Sequence, residues 1–159
     1  MGLALVAALS CLATTVRSDA PDEWITLGAR VHGGFGSFIP VGIRIGLDAL
    51  ARLNAKPREV TVLYYDSDRA PCACIADGAA IATVASVGQR TLQIASEKAP
   101  PGVMAVLVIR HKQTGEAVRY TVADGWLPKL AEWNKTLDPR GRYDAVMKAD
   151  GLFDATIVK

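Results

Sequence analysis

A chain of 159 residues, half of them apolar, is long enough for one well-buried core and too short for two ordinary domains, and its composition excludes intrinsic disorder. Its 18 basic and 16 acidic residues leave a net charge of +2, spread along the chain, which argues against a nucleic-acid partner. The three cysteines, Cys11, Cys72 and Cys74, are too few for a disulfide framework, so an apolar core must hold the fold.

In chain order, the first feature is the apolar run Leu3–Ala13. It has the length of a signal-peptide hydrophobic region and is too short to span a bilayer. Small residues near Ser18 and Ala20 suit cleavage, although no Lys or Arg precedes the run. Residues 1–20 are therefore expected to be a signal peptide and residues 21–159 the mature domain. The mature domain is expected to be periplasmic or otherwise exported, of bacterial type, with no transmembrane span. A buried N-terminal helix is the alternative reading. Cys11 follows Ala8-Leu9-Ser10, a poor lipoprotein signal, and no lipid anchor is expected.

Asp22-Glu23-Trp24 begins a short approach to the glycine-rich stretch Val31–Phe38. Gly33, Gly34 and Gly36 cannot form a stable helix interior and suit tight turns or close backbone approach. A helix should follow, with Pro40 in its first turn and Ile43, Leu47, Leu50 and Ala51 on one face. Gly42 and Gly46 fall four apart on another face, where a neighbour can come close. Asn54-Ala55-Lys56-Pro57 ends this helix.

Glu59–Tyr65 reads as a strand, Asp66–Arg69 as a loop, and about Pro71–Ser86 as a second, alanine-rich helix. Thr91–Ala95 alternates as a strand. Val103–Arg110 is a nearly continuous apolar run, as in a strand covered on both faces. Lys112–Glu116 turns the chain and Ala117–Val122 returns as an antiparallel partner. From Trp126 onward Leu127, Leu130 and Trp133 have helical spacing, a break falls at Pro139-Arg140-Gly141, and Ala145–Lys148 begins another short helix. The order predicts a single α+β domain with a mixed or antiparallel sheet, Ala/Gly-rich helices and a helical C-terminal tail.

Three segments in this order resemble the FmdE-like family, named for formylmethanofuran dehydrogenase. The first is His32-Gly33, with Gly42 and Arg44 on the following helix, similar to the family's His-Gly-His-x-Cys-Pro-Gly and Gly-x-Arg. The second is Cys74-Ile75-Ala76-Asp77-Gly78, continuing to Gly88-Gln89-Arg90-Thr91-Leu92. The third is Arg110–Arg119, similar to a Thr-Gly-Lys-Ala-Val-Arg hairpin. The chain departs from the pattern at Gly34, Gly36-Ser37 and Ala85, where the family carries His, Cys-Pro and Cys. Some members also carry a C-terminal zinc-finger module with paired cysteines, and no cysteine follows Cys74 in this sequence. The resemblance implies a degenerate metal motif and a homodimer or a subunit of a larger complex.

The groups left for chemistry are His32 and Cys74. Thiolate and imidazole suit zinc, copper or haem iron, but two protein ligands make a weak site. Asp77, three residues after Cys74, offers a third oxygen ligand or a partner that orients a ligand. Cys72 faces the same ion only if the helix starts after it, as Pro71 allows. The bland alternative is a buried Cys74 and a turn-forming His32. A nucleophilic or redox-active cysteine is a further option, although no third orienting residue is visible. The run Gly34-Phe35-Gly36 lacks the endings of a phosphate-binding or dinucleotide loop.

Glycines in place of bulky ligands imply a widened pocket. Phe35 and Phe38 would be walls for haem or a neighbouring subunit, with His111 as an axial ligand. Arg44 either orients the second helix through Asp77 or faces solvent. Two main functions follow. One is an exported binding module that holds a metal or metal-bearing cofactor near His32 and Cys74, in a redox or cofactor-handling role. The other is a non-catalytic structural or interaction subunit without metal. An enzyme of unnamed chemistry is a third option that no residue pattern supports.

Overall fold

The computed structural model describes residues 21–158; the expected signal peptide, with Cys11, lies outside them. Asp22 and Glu23 in the first turn and Arg30 and His32 in the last match the helix dipole of α1 (Pro21–His32). Trp24, Leu27, Gly28 and Val31 give this helix one apolar face, so the expected short approach is a full helix. Gly33 ends it at φ +85, with its N–H bonded to the Ala29 carbonyl.

α2 (Phe38–Arg52) follows with Pro40 in its first turn, as expected, and is buried along most of its length. α3 (Cys74–Thr83) lies against it. The contact depends on glycines. A Cβ at Gly42 would collide with the Ile75 carbonyl oxygen and lie 2.6 Å from the Ala79 nitrogen. One at Gly78 would collide with the Ile39 carbonyl oxygen, and one at Gly46 would lie 2.7 Å from the Ala82 Cβ. The neighbour that Gly42 and Gly46 admit is thus α3 of the same chain.

β1 (Val60–Tyr65) and β2 (Leu92–Ile94) are parallel, with α3 as their crossover. β3 (Val103–His111) is antiparallel to β1, and β4 (Ala117–Ala123) and β5 (Asp154–Val158) continue antiparallel from it. The sheet order is β2-β1-β3-β4-β5. The mixed sheet agrees with the sequence reading. Alternation along β1 and β4 points Val62, Tyr64, Val118, Tyr120 and Val122 into the helix-covered core. On the other face Thr61, Leu63, Tyr65, Val108 and Arg119 remain half-buried. The apolar run in β3 therefore reflects a central strand with helices on one face, not on both.

The tail contains α4 (Leu127–Thr136) and α5 (Pro139–Lys148), helical as expected, and then closes with β5 rather than with helix. The break seen at Pro139 is the start of α5. Asp138 caps it by accepting from the Gly141 N–H at 2.7 Å, and Pro139 occupies the first turn. Among the described residues no helix is long and apolar enough to cross a membrane.

Candidate metal centre

The connection from β1 to α3, residues 66–73, sits at the carboxyl end of β1, a usual place for ligands in parallel βαβ units. Ser67 anchors it. Its Oγ donates to the Met104 carbonyl at 2.7 Å and accepts the N–H groups of Arg69 and Ala70 at 3.3 Å. Sequence reasoning passes over Ser67 because its partner lies on a distant strand. α3 then begins at Cys74, not at Pro71, and ends at Thr83, short of Ser86. The condition for both cysteines to share one centre is therefore met. Cys72 lies on the non-helical approach, half-buried, and Cys74 is buried at the first helical position.

His32 arrives from the end of α1. Its Nδ1 lies 2.7 Å from Asp77 Oδ2 in the first turn of α3, and its Nε2 lies 3.7 Å from Cys72 Sγ. Nδ1–H donating to the carboxylate leaves the Nε2 lone pair facing the sulfurs. Asp77 is thereby the partner that orients the imidazole. Ligand atoms of His32, Cys72 and Cys74 lie within 4.8 Å of one another. The two sulfurs are at bonding distance, with Cα atoms 5.3 Å apart. A sulfur shared in a disulfide is a poor donor, so metal binding belongs to the reduced pair. In that state two thiolates and one imidazole could hold a metal ion.

The remaining predicted residues are not brought to this centre. Phe35 and Phe38 are 4% and 5% exposed and belong to the core, with the Phe35 ring packed under Gly28. Arg44 is half-buried and is not bonded to Asp77: it donates to the Val146 and Ala149 carbonyls at the end of α5, at 2.8 and 2.5 Å. Its guanidinium also lies over the Phe153 ring. His111 pairs with Val60, at the end of β1 away from the cysteines. It is buried there, and its Nδ1 accepts the Gln113 and Thr114 N–H groups at 3.1 and 3.3 Å. The walls and axial ligand expected of a haem pocket are thus structural residues, and this arrangement does not fit a flat macrocycle.

Beside the centre, α1 and α3 border a groove of about 500 Å³ that sequence reasoning does not anticipate. Leu27, Val31, Ile81 and Val84 line it, and Asp77 joins it to the His32 side. Gly34 opens onto free space, while Gly36 faces the Asn134 side chain.

A protein-family model described as FmdE, Molybdenum formylmethanofuran dehydrogenase operon, matches residues 31–149, from the last turn of α1 past the end of α5. No curated protein matches the chain.

Proposed function

Because the chain belongs to the FmdE family, we propose that it is an exported metal-binding module in which His32, Cys72 and Cys74 hold one transition-metal ion in a redox or cofactor-handling role. The observation that carries this reading is the convergence of an imidazole and two sulfur donors within 4.8 Å. Asp77 fixes the ring through Nδ1 and raises the basicity of the nitrogen that would bind. Cys74 is held by the glycine-mediated packing of α2 on α3, and Cys72 by the Ser67-anchored loop. A bound ion would supply Lewis acidity, or one-electron chemistry in the case of copper. Export is supported by the apolar run Leu3–Ala13.

The test is titration of the reduced, EDTA-stripped protein with Co²⁺, read by thiolate-to-metal absorption. One equivalent is expected, lost in His32→Ala and in Cys74→Ser. A folded, reduced protein that takes up no Co²⁺, Zn²⁺ or Cu⁺ overturns the reading.

The groove supports a second reading, an interaction subunit that dimerises or joins a larger complex without metal. Leu27 and Val31 are 41% and 59% exposed beside one another, as a contact surface would require. Light scattering of the metal-free protein tests it. A dimer that Leu27→Glu dissociates supports this second reading, and a monomer removes the homodimer from it.

A further inference from the structure

We propose that Cys72 and Cys74 form a redox-active dithiol–disulfide couple that exchanges with thiol substrates, with Cys72 as the sulfur attacked. This goes beyond the metal reading: it uses the same two sulfurs but requires no ion. Three observations support it. The Cys72 and Cys74 Cα atoms lie 5.3 Å apart, inside the range that a disulfide bridges. The cross-link spans a sequence separation of two, so it constrains the unfolded chain very little and is a weak structural staple. The environment of the two sulfurs is also asymmetric. Cys72 is half-buried and lies 3.7 Å from His32 Nε2, which Asp77 holds in place. Cys74 is 5% exposed at the start of α3, where the helix dipole favours a departing thiolate.

The exchange balances. A substrate thiolate attacks Cys72 Sγ, forming a mixed disulfide as the Cys72–Cys74 bond breaks and Cys74 leaves with the electron pair. The second thiol of the substrate, or a second monothiol, then attacks the substrate sulfur and releases Cys72. Two substrate thiols are oxidised to one disulfide, the protein disulfide is reduced to two thiols, and the two substrate protons end on Cys72 and Cys74. Oxidation also withdraws both sulfurs from any metal, so the couple gates the centre it shares.

The full chain, stripped of metal with EDTA, is equilibrated in glutathione buffers from reducing to oxidising, quenched by alkylation and mapped after trypsin digestion. The segment 70–90 contains both cysteines and excludes Cys11. It is expected to interconvert reversibly between a dithiol and a form lighter by two hydrogens, without a glutathione adduct. In Cys74→Ser, glutathionylation at Cys72 is expected to run about tenfold faster than at Cys74 in Cys72→Ser. A pair that stays reduced throughout overturns the proposal, as do adducts on both sulfurs with no internal bond or a bond that resists dithiothreitol until the protein unfolds. Equal capture rates in the two variants overturn the assignment of Cys72. Because no metal is present, this result and the Co²⁺ titration can fail independently.

Discussion

His32 and Asp77 meet Nδ1 to Oδ2 at 2.7 Å across 45 residues of sequence, which ties the end of α1 to the first turn of α3. The pair is about a third exposed, with side-chain values of 28% and 33%, so its effect on stability is below about 1 kcal/mol. Its effect on the imidazole is geometric. Asp77→Asn removes the carboxylate that receives the Nδ1 proton and loosens the ring. Metal affinity of the reduced protein is expected to fall about 10- to 100-fold, measured by competition with a chromophoric chelator. Unchanged affinity would show that Asp77 does not position His32.

Gly42 and Gly78 sit where α2 and α3 touch backbone to backbone. Gly42→Ala forces the helices apart and is expected to cost about 3 kcal/mol or more, as overpacking against rigid backbone does. Gly34→Ala meets nothing within 4 Å and is expected to stay within about 0.5 kcal/mol of the parent. Urea unfolding of the two variants separates a packing glycine from a turn glycine.

Arg44 closes α5 through two carbonyls separated in sequence from it by 102 and 105 residues. Arg44→Met is expected to lose about 1.5–3 kcal/mol, the range for hydrogen bonds to a charged group, and to leave Co²⁺ uptake by the folded protein unchanged. A selective loss of metal with full stability would instead return Arg44 to the site.

Tyr64 and Tyr120 are buried phenols. Burial raises both above the ordinary tyrosine value, and the neighbouring Asp66 and Asp48 carboxylates raise them further. Tyr120 donates to Asp48 at 2.7 Å. Below about pH 10 these phenols are protonated in folded and unfolded chains alike, and their contribution is fully present. Above it the unfolded chain loses protons that the folded one keeps, so stability falls with rising pH. The slope approaches about 1.4 kcal/mol per pH unit for each phenol. Urea midpoints above about pH 10 check this, and Tyr120→Phe should flatten the decline. A flat alkaline profile in the parent would refute it.

Much of this architecture can be read from local pattern. The β-branched and aromatic run Glu59–Tyr65 names its strand, and the Gly42/Gly46 spacing marks a face for close approach without naming the helix that fills it. The start of α3 is misplaced by three residues, because Pro71 is equally at home in a first helical turn and in the approach that carries Cys72. α1 is missed because Trp24, Leu27 and Val31 lead into glycines that dominate the reading. β5 is missed because Asp154–Val158 is short and mostly exposed. At the candidate centre, local pattern offers His32, Cys72, Cys74 and Asp77 as polar groups, but their arrangement depends on which imidazole nitrogen faces which partner. Arg44, Phe35, Phe38 and His111 carry no local mark that separates a wall from a core or capping residue, because their partners come from remote segments.

The centre draws its imidazole from α1 and its sulfurs from the start of α3, and 40 residues separate His32 from Cys72. An ion bound there would close a loop that is open in the unfolded chain, and its binding energy would become folding energy. By mass action, each tenfold rise in free ion above the dissociation constant would add about 1.4 kcal/mol to the folded state. The docking of α1 would then follow the concentration of available metal, and the melting temperature would serve as a gauge of it.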